Sequence, residues 1–208
     1  MAAAALAAFM SSPHPSRRAV LRAALALGAA AVLSACGQDR PAFQGSDITG
    51  TNLGKDLSLV GTDGKTKTLA DYSGKVVVAF FGFTQCPDVC PTALAQLAQV
   101  MQTLGADADR VQVLLITVDP ERDTPAIMRE YVKAFDPRFE GLTGTLAQVR
   151  QTAGSFKAYF AKSPRPDGDY SMDHTAAFYL FDAKGQTRVL LNNSASNDVL
   201  VHDIRALL

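Results

Sequence analysis

Lys75-VVVAFFGF-Thr84 is an unbroken run of β-branched and aromatic residues, and it constrains the fold more than any other stretch of the chain. A strand with one wet face alternates apolar and polar residues. This one has no polar position, so both of its faces have to be covered. That demands a sheet with layers on both sides. Val111 to Val118 reads as a second buried strand, and Pro91 to Leu104 between them reads as a helix. Pro91 suits a first helical turn, and Leu94, Leu97, Ala98 and Met101 fall at helical spacing.

The rest of the chain continues the alternation. Leu57 to Val60 and Thr66 to Leu69 flank Thr62-Asp63-Gly64-Lys65, where Asp-Gly signals a hairpin turn. Thr124 to Phe135 and Thr145 to Phe160 read as helices, Ala176 to Phe181 and Thr187 to Leu191 as a hairpin around Asp182-Ala183-Lys184-Gly185, and Ser196 to Leu207 as a closing helix. Residues 161–173, AKSPRPDGDYSMD, carry Pro, Gly, Ser and Asp and predict a mobile arm. This order predicts an α/β thioredoxin-like sandwich, a central mixed sheet flanked by helices and preceded by an N-terminal β-hairpin. Right-handed crossovers put the end of the first central strand and the start of its helix at one sheet edge.

The N-terminus speaks to compartment. A basic cluster, Ser16-Arg17-Arg18-Ala19-Val20-Leu21-Arg22, precedes an uncharged stretch from Ala23 to Ala35 and then Cys36. That is the layout of an export signal, and its apolar core of about 13 residues is too short for a permanent membrane span. The stretch SRRAVLR resembles a twin-arginine signal, with Sec export the alternative. Leu33-Ser34-Ala35-Cys36 resembles a lipobox, which predicts lipidation of Cys36 and a bacterial chain anchored on the periplasmic side of the membrane. The chain then divides into a signal over 1–35, a lipid-anchored linker over 36–46 and one domain over 47–208. Loss of Arg17, Arg18 and Arg22 with the signal takes the formal charge from zero to −3. Without a basic run there is no surface for nucleic acid.

With Cys36 assigned to lipid, Cys86 and Cys90 are the remaining cysteines of the 208 residues. Both fall where the first central strand meets its helix. Helix N-termini favour thiolate over thiol, so both sulfurs are expected to be partly activated. Three residues, Pro87-Asp88-Val89, separate them, a spacing open to a disulfide and to a metal site alike. Of the three histidines, His14 leaves with the signal and His202 lies on the last helix, read as a surface residue. His174, in Asp173-His174-Thr175 before a strand, stands where this fold brings a loop against the cysteines, as a ligand or as a structural residue.

CPDVCP after an apolar strand, then Val118-Asp119-Pro120-Glu121-Arg122-Asp123-Thr124-Pro125, then Asp173-His174 before another apolar strand, resembles the Sco/SenC family of copper-binding thioredoxin-like proteins. The resemblance runs from about Leu57 to Leu208, with Phe83 where tyrosine is more usual and Thr175 where serine is common. It implies one copper per chain, bound by Cys86, Cys90 and His174, and help in assembling the dinuclear copper centre of cytochrome c oxidase. The implied partner is the copper-site subunit of a respiratory oxidase, and the chain is expected to be a monomeric metallochaperone rather than an enzyme. Soft thiolates and imidazole suit copper, whereas structural zinc asks for four closed ligands. Asp119 and Asp173, read as exposed turn carboxylates, are candidates for orienting the imidazole or steering a partner. Met172 is a weak fourth donor, better explained by packing. The alternative function is a thiol-disulfide reductase that uses Cys86 and Cys90 without His174. A peroxidase built on Thr84-Gln85-Cys86 leaves Cys90 unexplained.

Overall fold

In the computed structural model the chain is described over residues 42–208. The expected export signal, Cys36 and the first part of the linker lie outside the described residues. Strands β1 (Ser46–Asp47), β2 (Leu59–Gly61), β3 (Thr66–Lys67), β4 (Val76–Gly82), β5 (Val111–Thr117), β6 (Glu140–Thr143), β9 (Ala177–Phe181) and β10 (Thr187–Asn192) form one sheet, in the order β1-β10-β9-β4-β5-β6-β2-β3. Strand β5 runs parallel to both β4 and β6, while β9 is antiparallel to β4, so the sheet is mixed as expected. Strands β7 (Phe160–Pro164) and β8 (Tyr170–His174) make a separate two-stranded sheet. The helices are α1 (Val89–Leu104), α2 (Pro125–Lys133), α3 (Leu146–Phe156) and α4 (Asn197–Arg205).

The central strands divide their apolar residues between two cores, as their composition requires. Val76, Val78 and Phe80 join one cluster with Leu94, Leu97 and Met101 of α1, Met128 and Val132 of α2, and Leu200 and Ile204 of α4. Val77, Ala79, Phe81 and Phe83 point the other way, to Val149, Ala153 and Phe156 of α3 and to Met172 of β8. Phe156 meets Phe81, Tyr179 and Phe181 edge-on at 5.2, 5.0 and 5.8 Å between centroids. Each such side chain stabilises the fold by about 1.5–3 kcal/mol on burial.

Two expectations need correction. The helix expected from Thr145 to Phe160 ends at Phe156, because Lys157 turns left-handed at φ 56° and its amide closes on Ala153 and Gly154. Phe160 is thereby free to enter a strand opposite His174. The arm expected over 161–173 is the β7–β8 hairpin, closed by a turn in which the Arg165 amide donates to the Asp169 carbonyl and Gly168 takes φ 87°. The short strand β6 had no counterpart in the sequence reading. At the other end, Phe43 already packs on the first core, and the amides of Gln44 and Gly45 donate to buried Asp203 at 2.8 Å each. The folded body therefore takes in residues assigned above to the linker.

Candidate functional site

Strand β4 delivers its chain to the sheet edge at Gly82, and the next residues carry Cys86 in a loop and Cys90 in the first turn of α1. Helix α1 has no side-chain cap from Asp88. Its start is capped instead by sulfur, since the Cys90 amide donates to the Cys86 Sγ at 3.5 Å. Unpaired amides at a helix start stabilise negative charge. The hydrogen bond from the Cys90 thiol, then the amides of Cys90 and Asp88, hold the Cys86 thiol down to about 5, against burial that opposes ionisation.

Cys90 behaves differently from the expectation of two activated sulfurs. Its side chain is 1% exposed. Its hydrogen bond to Cys86 and its burial push the Cys90 thiol up, so the pair is one thiolate and one thiol. A Cβ on Gly82 would stand 2.7 Å from the Cys90 sulfur and 2.9 Å from Leu115 Cδ1. Only a glycine leaves the sulfur its place. No disulfide joins Cys86 and Cys90.

His174 ends β8 beside the cysteine loop, its ring edge-on to Phe83 at 6.0 Å. Its Nδ1 lies 3.0 Å from the Thr175 carbonyl. A carbonyl only accepts, so Nδ1 carries a proton, and in the neutral imidazole Nε2 is the nitrogen with the lone pair. Cys90 and His174 line one mostly apolar cleft with Val89, Ala93, Phe178 and Asn193. The donor types thus fit a soft metal ion, although among the described residues no three His, Cys, Asp or Glu side chains are gathered closely enough to hold one.

The two carboxylates expected to orient the imidazole do not do so, since its hydrogen bond goes to Thr175. Asp173 is exposed on β8. Asp119 is not an exposed turn residue: it is 1% exposed, accepts the Tyr170 hydroxyl at 3.0 Å and pairs with Arg122. Met172 is buried in the second core, which accounts for it by packing. His202 sits on α4, its Nδ1 2.8 Å from Asp203.

Sequence reasoning missed Asp123. It is fully buried and accepts the Thr84 and Thr117 hydroxyls at 2.5 Å each and the Thr84 amide at 3.2 Å. This carboxyl, pushed up by burial, ties the loop before Cys86 to the end of β5. Its signal was a second aspartate four residues after Asp119, at a sheet edge.

The SCO1/SenC family model matches residues 46–208. The "Protein SCO2 homolog, mitochondrial" of Mus musculus is 41% identical over 153 residues, which are 72% of this chain and 60% of that protein. The chain thus spans about three fifths of the length of this curated relative. Among solved structures, Bradyrhizobium japonicum ScoI with copper bound is 40% identical, with a TM-score of 0.67 over 79% of this chain and 99% of that one. BsSco, described as a member of the Sco family of cytochrome c oxidase assembly proteins with a disulfide switch, is 26% identical, with a TM-score of 0.60 over 78% and 96%. A SCO1/SenC family lipoprotein from Bacillus anthracis is 25% identical, with a TM-score of 0.65 over 80% and 99%. On the family match, this thioredoxin-like chain belongs to the SCO1/SenC family.

Proposed function

We propose that the chain binds one copper ion through Cys86, Cys90 and His174 and carries it to the copper-site subunit of a respiratory oxidase. The observation that carries this reading is the tautomer of His174. With Nδ1 committed to Thr175, Nε2 is the ring nitrogen left to bind, on a histidine that lines one cleft with Cys90, and Cys90 is hydrogen-bonded to a Cys86 sulfur held as thiolate near neutral pH. Thiolates favour Cu(I), and imidazole accepts either copper state. Copper is cargo in this reading. Val89, exposed on the cleft, and Tyr159, joined through its backbone to Thr175, give a partner apolar surface beside it.

The same sulfur pair supports a second reading, thiol-disulfide reduction of the oxidase's copper-site cysteines. The half-buried Cys86 thiolate would attack a target disulfide, forming a mixed disulfide and releasing one target thiolate. Cys90 would then pass its proton to the released target thiolate and attack Cys86, closing the Cys86–Cys90 disulfide and releasing the second. Two electrons pass to the target, and His174 takes no part.

Lipidation at Cys36 would hold the domain on the periplasmic face, as a monomer on a short linker, and labelled fatty acid incorporation lost in Cys36→Ser tests that. The central experiment is His174→Ala. It should lose most copper affinity, keep a reversible Cys86–Cys90 disulfide and fail to support oxidase assembly at low copper. Full oxidase activity in this variant under copper limitation would leave reduction as the function.

A further inference from the structure

The β7–β8 hairpin carries His174 but shares no ladder with the main sheet. A two-stranded hairpin is marginal by itself, so side-chain contacts have to decide where it stands against the cysteines. At its base, Thr175 and Tyr159 exchange hydrogen bonds of 2.9 Å. Towards its tip, Tyr170 meets two cations, the Arg122 guanidinium 3.8 Å and the Lys162 ammonium 4.3 Å from its ring centroid.

Arg122 joins three segments. Its Nε donates to Asp119, and its Nη1 donates to the Gln85 side-chain carbonyl at 2.9 Å, the Tyr170 carbonyl at 3.2 Å and Asp169 at 3.4 Å. Gln85 is the neighbour of Cys86, and Tyr170 starts the strand that ends at His174. The Tyr170 hydroxyl closes the ring of contacts on Asp119 at 3.0 Å. Nη2 of the same guanidinium is buried with no hydrogen-bond partner among the described residues, so Nε and Nη1 carry the bridge. The guanidinium thus ties the cysteine loop to the hairpin directly.

We propose that Arg122 is the positioning residue of the copper site, setting His174 against Cys86 and Cys90 by bridging Gln85 to the hairpin at Tyr170. The proposal rests on His174 being a copper ligand. Because Arg122 acts through the imidazole, its effect should vanish when the imidazole is gone, which a double-mutant cycle measures. Cu(I) affinity is read by competition with a chromophoric chelator in wild type, Arg122→Met, His174→Ala and the double variant. Arg122→Met should lose roughly 10–100-fold in affinity, the usual range for residues that orient a ligand, and the double variant should bind as His174→Ala does. Alkylation of Cys86 should be unchanged. The nitrogen coupling in the electron paramagnetic resonance spectrum of the Cu(II) form should weaken in Arg122→Met and be absent in His174→Ala.

Arg122→Met strips Asp119 of its partner and can unfold the loop, so Gln85→Ala and Tyr170→Phe are measured beside it. Gln85→Ala cuts the bridge at the cysteine loop, and Tyr170→Phe cuts the hairpin's hydroxyl tie to Asp119; both keep the Asp119–Arg122 pair. Both should lose affinity in the wild-type background and none in the His174→Ala background. Equal losses in both backgrounds, or no loss in either, would overturn the positioning role while leaving His174 a ligand. Wild-type affinity in His174→Ala itself would instead overturn the ligand reading and this inference with it.

Discussion

Gly82→Ala tests whether the sheet edge is shaped around the Cys90 sulfur. The added methyl would lie 2.7 Å from Sγ of Cys90 and 2.9 Å from Cδ1 of Leu115, where carbon contacts settle near 3.5–4.0 Å. One neighbour has to retreat by about 1 Å. Leu115 and Cys90 are both buried, so the displacement falls on the Leu115 side chain and on Cys90 with the first turn of α1. Replacing a strand glycine with alanine would otherwise stabilise by about 0.5–1 kcal/mol through lost chain entropy. Overpacking costs about 1–3 kcal/mol, and contacts from a helix on one side and a strand on the other place this site at the upper end. A net loss of about 1–2 kcal/mol follows. It should appear in urea unfolding of the reduced protein as a lower midpoint at unchanged slope. The displaced Cys90 thiol should also react faster with a disulfide reagent than in the wild type. Wild-type stability together with an unreactive Cys90 would refute the reasoning, because the sulfur would then have room that the contacts deny it.

Alkylation of the reduced, metal-free protein should label Cys86 at a rate nearly flat from pH 6 to 8, whereas a thiol with the ordinary value of 9.0 would gain about tenfold per pH unit. The linkage has a sign: a thiol lowered from 9.0 to about 5 on folding adds stability that is full above pH 9 and is lost as pH falls towards 5, so the urea midpoint of the reduced Cys90→Ser protein should rise across that window. Gly154→Ala, on an α3 position whose Cβ would meet nothing within 4 Å, should stabilise by about 0.5–1 kcal/mol and raise the midpoint.

Strands β4 and β5 and helix α1 were legible because burial on two faces leaves an unambiguous trace: unbroken apolar runs and an apolar stripe at helical spacing. Strand β6 left none. Glu140-Gly-Leu-Thr is four residues long with one large apolar side chain. Its place comes from neighbours, Met128 lying over Gly141 and the Thr143 hydroxyl donating to the Asp123 carbonyl at 2.7 Å. The β7–β8 hairpin was hidden by its composition, since two prolines and exposed polar residues describe a loop equally well, and its anchors Tyr170 and Met172 act through tertiary contacts. For the site, residue types and spacing singled out the two cysteines, left His174 between ligand and structural residue until the resemblance implied it, and could not divide the two sulfurs into thiolate and thiol. That division depends on the amide of Cys90 turning back to Cys86. Asp119 looked exposed because a carboxylate in a turn usually is. Arg122 three residues on was the available hint, while Tyr170, which completes the burial, is 51 residues away.

The three candidate ligands are held by three different devices, and this bears on how one chain can serve two chemistries. Cys90 is fixed by the hollow that Gly82 leaves in the sheet edge. Cys86 is fixed by its bond to the start of α1 and, through Thr84, by Asp123. Both devices belong to the main sheet and its first helix, so the sulfur pair is set by the most buried part of the molecule. His174 belongs to a separate two-stranded sheet whose contacts to the rest are side chains. Thiol exchange draws on the rigid half alone. Copper capture as proposed would draw on both halves, with the hairpin bringing His174 to the sulfurs. Weakening the hairpin's hold should therefore remove copper binding first and leave the disulfide chemistry in place, whereas disturbing Gly82 or Asp123 should damage both together.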